Sequence, residues 1–384
     1  VRNVSEMNGG SFLLEEKMNG SWFAFVARAA CVFALGFSLP PISHGQVVPP
    51  KFEVDPSWPK PLPDRWVTGI VGWVCVDAHD HIFILNRRNL TDNELDAGHQ
   101  APPVIEFDPE GNVVNAWGDP DVLPDLLHGC FIDHEGNFWV TGEYGNIVQK
   151  WTHDGGKLLL QIGTRGVFDS SDGTLKGKSL NSSHTLFFRS AGLVVDPQNG
   201  DIYVADGNGN HRVAVFDRDG KFLRQWELQH SKAETETGGA LHALHSIAMS
   251  KDGFVYVCDR QGDQAQVFDK MGNFQKSIPV PFEQRSQYPV GPGHTPGAWG
   301  TVDAIAFSPD AAQTFMYIAD EDDEQIVILN RADGHILSSF GRAGHQVGEF
   351  VHAHSLAVDS KGNIYVGEVD WGERVQKFKI VDGQ

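Results

Sequence analysis

One hairpin-bearing unit is written six times along this chain of 384 residues, and that repetition limits the fold more than any other feature. Its copies begin "GWVCVDAHDHIFILN" at 72, "HGCFIDHEGNFWVTG" at 128 and "AGLVVDPQNGDIYVAD" at 191. They continue with "HSIAMSKDGFVYVCD" at 245, "DAIAFSPDAAQTFMYIAD" at 303 and "HSLAVDSKGNIYVGE" at 354. Each holds short runs of β-branched and aromatic residues separated by turns such as "DHEGN", "DRDGK" and "DSKGN". Helical periodicity is absent. Four antiparallel strands per copy, repeated radially, predict an all-β six-bladed propeller. The first copy carries a long insertion before its third strand, and the last stops after its third. "KFEVDPSW" at 51–58 has strand character and is expected to close the ring as the missing outer strand.

Aligning the copies exposes a second pattern. Five residues before the Asp or Ser that opens each first turn stand Gly72, His128, Ala191, His245, Asp303 and His354. Histidine fills every second copy. The first strand of a blade lines the central channel, so the three imidazoles are expected at one height, facing the axis. Three converging imidazoles with an open fourth direction form a catalytic type of Zn²⁺ site, with metal–nitrogen distances of about 2.0–2.1 Å. A single channel histidine bonded to water needs no metal; three in strict alternation do not read that way. Gly72 and Ala191 are expected to leave room for a ligand. His352, two residues before His354, is expected on the same strand face, as a further ligand or a proton donor. His184, His294 and His345 fall in loops. The second strand returns antiparallel, which places Arg87 of "LNRR" and Arg260 of "CDRQ" at the rim, suited to a carboxylate. Asp206, Asp259, Asp320 and Glu368 end their strands as turn caps.

The remaining composition bounds the partners. A net charge of −20 repels phosphate backbones and anionic lipid, so neither nucleic acid nor a membrane surface is an expected partner. Residues 1–45 read as a leader with an export signal: an apolar run from Ala29 to Phe37, then Pro40-Pro41 and Ser43-His44-Gly45. The run is too short to span a membrane comfortably. The expectation is a secreted or periplasmic protein whose residues 46–384 form one propeller domain. Cys31 lies in the leader, while Cys75, Cys130 and Cys258 each lie in a hydrophobic strand, which predicts buried thiols rather than disulfides.

With the repeats and histidines in place, roughly residues 50 to 380 resemble NHL-repeat propellers, in particular the lyase domain of peptide-amidating enzymes. The resemblance implies a C–N lyase that cleaves a peptidyl-α-hydroxyglycine to a peptide amide and glyoxylate. It implies Zn²⁺ on His128, His245 and His354, a structural Ca²⁺, and a substrate carboxylate held by Arg87 and Arg260. Three positions depart from the family pattern. Where the family has a catalytic tyrosine in "DGYxN", this chain has Asn208, which cannot form an anion at neutral pH and so cannot act as base. Ser355 replaces a calcium-binding Asp, and His352 replaces a methionine; the base role falls to His352 or to zinc-bound hydroxide. Two other functions fit the same disc: metal-dependent ester or lactone hydrolysis, and ligand binding without turnover.

Overall fold

In the computed structural model, the described residues are 47–229, 243–283 and 299–381. The expected leader, with Cys31, and His294 lie outside them. Six four-stranded antiparallel sheets follow one another along the chain. Blade two shows the pattern: Leu127–Ile132, Phe138–Gly142, Ile147–Trp151 and Leu158–Gly163 run from the axis outward. The inner strands of neighbouring blades pack on one another around the axis.

Burial follows the repeat. The second strand of blade three, Ile202–Asp206, is buried at every residue because other blades cover both its faces. Its outer strand, Phe222–Glu227, faces solvent and mixes exposed with half-buried positions. The first turn is an Asp-anchored device. In blade two the Asp133 carboxylate accepts the backbone N–H groups of Glu135 and Asn137 at 3.0 and 2.8 Å. Gly136 completes that turn at φ +79°. Nothing lies within 4 Å of an added Cβ there, so backbone conformation rather than space requires the glycine.

The ring closes as expected. Lys51–Val54 pairs antiparallel with Val375–Val381, so the first strand of the described residues becomes the outer strand of blade six. Phe52 then packs on Tyr317 and Phe340 of blade five, and Trp58 on Phe107 and Tyr365. Polar straps cross the seams. Asp80 of blade one accepts both the N–H and the hydroxyl of Ser360 in blade six, each at 2.7 Å. His153 reaches back from blade two to Asp77 at 2.9 Å, and within blade one His81 meets Glu106 at 2.6 Å. Asp77, Glu106 and His153 converge closely enough to hold an ion. Asp77 occupies the turn position that Asp133 fills in blade two, and its contacts are those of such a strap.

The cysteines overturn the thiol expectation. Cys75 and Cys130 form a disulfide between the inner strands of blades one and two, with Cα atoms 5.9 Å apart. They are separated by 55 positions in sequence, and only the closed ring makes their strands neighbours. Cys258 stays free and buried, and burial pushes its thiol well above the usual range.

Candidate metal centre

A β-bulge builds the centre. In blades one, two, four and six the inner strand slips by one residue against its partner where the aligned slot falls. The slips lie between Val71 and Trp73, Leu127 and Cys130, Leu244 and Ile247, and Ala353 and Ser355. An extra residue turns its side chain out of the pleat, which is how His128, His245 and His354 come to face one another. Gly72 occupies the same slot for a different reason than the expected ligand space. A Cβ there would lie 2.3 Å from the Leu127 carbonyl oxygen, so glycine permits the close approach of blade two.

The three rings converge. Their centroids are 4.7, 4.8 and 4.9 Å apart, all three are buried, and one ligand nitrogen from each lies within 4.8 Å of the other two. Nδ1 of His128 is 2.9 Å from the Ala191 carbonyl, and Nδ1 of His245 is 2.8 Å from that of Asp303. Each carbonyl belongs to the slot residue of the following blade. A carbonyl only accepts, so both Nδ1 atoms carry hydrogen and both Nε2 lone pairs are bare. Nε2 of His245 lies 3.1 Å from Nε2 of His354, whose Nδ1 has no hydrogen-bond partner. Two donors on one tetrahedral zinc ion lie about 3.3 Å apart, given bond lengths of about 2.05 Å. Bare, buried imidazole nitrogens at that spacing fit a divalent transition metal. Trp73 packs beneath all three rings at 5.6–6.2 Å. Beyond it the channel continues as a separate cavity of about 570 Å³ that none of the three histidines lines.

Electrostatics keep the rings neutral. Burial lowers His128 to about 4, with Arg87 and Arg260 adding to the effect against the opposing charge of Glu143. Burial also holds His245 and His354 well below the usual histidine range, helped by neighbouring cationic charge. A metal therefore competes with few protons in the native protein. Three ordinary histidines, each about 10% neutral at pH 5.5, would lose roughly a thousandfold in affinity between pH 7.5 and 5.5. Here the loss is expected to stay within about fivefold. Zinc titrations against a competing chelator across that range check the difference.

The calcium expectation fits less well. Ser355 offers a neutral hydroxyl, itself without a partner, where a hard cation needs charged oxygen.

Charged residues ring the cage, and they share a second slot, the residue just past each second strand. Reading round the disc, that slot holds Arg87, Glu143, Gly207, Arg260, Glu321 and Val369. Arg87 donates from Nε to the Leu127 carbonyl at 2.9 Å. Arg260 Nη1 lies 3.6 Å from Asp303 and 3.8 Å from Glu321, while its buried Nε has no partner. Burial, with the charge of Glu321 adding to it, raises Asp303 well above the carboxylate range. Burial also pushes Glu321 upward, but the His352 hydrogen bond and the Arg260 charge outweigh it and hold Glu321 low.

His352 is outside the cage. It precedes the inner strand at φ +56°, and the bulge breaks the two-residue alternation that predicted a shared face. Its Nδ1 meets Glu321 at 2.8 Å, and this bond with the surrounding carboxylates raises it above the usual histidine value. Asn208 donates from Nδ2 to Glu143 at 3.0 Å, and Arg189 pairs with the same carboxylate. Burial would raise Glu143, yet the charge and hydrogen bond of Arg189 and the charge of Arg87 hold it below the usual carboxylate range. The turn-cap expectation for strand-end acids fits blade three, where Asp206 accepts from Asn210 and Arg212 at 2.7 and 2.9 Å. Sequence reading missed Glu143, Arg189 and Glu321, although the second slot, once aligned, contains both glutamates.

Fold and site together define a six-bladed β-propeller with a buried three-histidine centre. The NHL repeat family model matches residues 191–216, within blade three. The chain is 28% identical over 347 residues to mouse NHL repeat-containing protein 3, covering 86% of this chain and 84% of that protein. It is 27% identical over 331 residues to peptidyl-glycine alpha-amidating monooxygenase B of Xenopus laevis, covering 82% of this chain but 34% of that longer enzyme. Among solved structures, a streptogramin B lyase superposes with a TM-score of 0.53 at 14% identity, over 86% of this chain and 98% of that one; this likeness is one of fold.

Proposed function

We propose that this protein is a secreted C–N lyase that converts an α-hydroxyglycine-type substrate to an amide and glyoxylate, using Zn²⁺ held by His128, His245 and His354. The convergence of three neutral, buried imidazoles carries this reading. Similarity to the amidating monooxygenase supports it. The Cys75–Cys130 disulfide supports export to an oxidising compartment. Zinc in this position supplies Lewis acidity toward a substrate oxygen. Arg87 and Arg260 hold the substrate carboxylate. The ionised Glu143 stands beside His128 in place of the family tyrosine and accepts the hydroxyl proton, with Asn208 fixing its orientation. His352, kept protonated by Glu321, donates a proton to the departing amide nitrogen. One proton leaves oxygen and one reaches nitrogen, so the reaction balances without a further reactant.

Asn208 favours a second reading, a propeller that holds metal and ligand without this turnover. One assay separates them: glyoxylate release from an α-hydroxyglycine peptide by zinc-loaded protein. Release at least about a hundredfold above the spontaneous rate is expected from acid–base groups of this kind. A fully loaded protein that releases none leaves the second reading.

A further inference from the structure

Most large aromatic side chains in the described residues are packed inside or between blades. Four are not: Trp371 is 81% exposed, Trp299 45%, Phe274 43% and Tyr144 42%. Phe274 belongs to the outer strand of blade four, whereas the other three lie beside the charged ring. Each belongs to a different part of the chain, and each contacts a member of that ring or its immediate partner. The Arg260 guanidinium lies 5.8 Å from the Trp299 ring centre. The Arg189 guanidinium lies 5.8 Å from that of Tyr144, and the His352 ring 6.0 Å from that of Trp371. The Trp371 contact leaves most of that ring in water, so stacking on His352 does not account for a tryptophan there. Exposed aromatic surface gathered at the mouth of a polar site is a feature of ligand contact.

We infer that these aromatics form an apolar collar that selects substrates bearing an aromatic or large apolar group next to the carboxylate-bearing residue. The inference rests on the carboxylate-holding role given above to Arg87 and Arg260. An anionic end reaching those arginines at the channel mouth leaves the preceding part of the substrate at the level of the collar. There an aromatic group can stack on Trp371 or Trp299 and remove apolar surface from water. A substrate with a small side chain covers less of that surface and gains less.

Two carboxylate-ended probes test this on the zinc-loaded full chain by calorimetry: N-acetyl-phenylalanylglycine and N-acetyl-alanylglycine. The phenylalanyl probe is expected to bind about tenfold more tightly or better. In a variant carrying Trp299→Ala and Trp371→Ala the ratio should fall below about threefold, with alanyl-probe affinity and zinc content unchanged. Trp371→Phe should retain most of the preference. Equal binding of the two probes by the native chain, or an undiminished ratio in the double variant, overturns the collar and leaves the carboxylate site standing. If neither probe binds, the carboxylate site fails and the collar falls with it.

Discussion

The native protein is expected to hold one transition-metal ion per chain, and His245→Ala protein less than about a tenth of that. The expectation follows from how little else could hold the ion. Among the described residues only His128 and His354 would remain in the cage, and two neutral donors bind zinc far more weakly than three. The neighbours offer no substitute. Burial disfavours the ionised form of Asp303, and Glu321 is engaged by His352. Affinity should fall by at least about 10⁴-fold, since losing even an outer-shell partner of a ligand costs 10–100-fold. Elemental analysis after dialysis reads the result, with the exposed His345→Ala as control. Thermal melting gives a second reading. Chelation should lower the native melting temperature, because a ligand at a hundred times its dissociation constant stabilises by about 2.7 kcal/mol. The variant should show no chelator effect. A variant that keeps a full ion would mean that the three imidazoles do not form the site.

The architecture was legible because each propeller blade writes its own strands and turns locally. The copies could be counted, and the strand at 51–58 could be paired with the truncated last copy, before any coordinate was known. The alternating histidines were legible for the same reason: an aligned slot in a radial repeat is an aligned position in space. What stayed hidden depends on contacts between copies or on departures from regular strand geometry. Cys75 and Cys130 meet only when adjacent inner strands close against each other. Strict alternation places His352 on the same strand face as His354, and the bulge at His354 cancels that rule. Gly72 reads as open space in sequence but is a point of backbone contact in the fold. Glu143 and Glu321 sit one step past the ends of their second strands, Gly142 and Asp320, so their charges are not set against Arg87 and Arg260 by a reading that stops at the strand ends.

Arg260→Ala is the sharpest test of that charged ring, because one side chain serves two functions in it. As the holder of a substrate carboxylate, its loss should raise KM by about 10²–10³-fold, consistent with the 2–5 kcal/mol typical of removing one partner from a buried charge pair. Its loss also changes the proton balance of the neighbours. Arg260 is one of the groups that keep Glu321 ionised against its burial. Without that cation Glu321 rises and takes up a proton more readily, which weakens its hold on the His352 imidazolium. The His352 value then falls, so the alkaline limb of the pH–rate profile should move to lower pH. Lysine should recover only part of the binding, since a single ammonium cannot replace two parallel guanidinium hydrogen bonds. Zinc content should stay at one ion per chain, because Arg260 contributes no ligand. Steady-state kinetics across pH, run beside metal analysis, separates these effects. An unchanged KM in a zinc-loaded Arg260→Ala protein would remove the carboxylate from the proposed substrate, whatever reaction the histidines support.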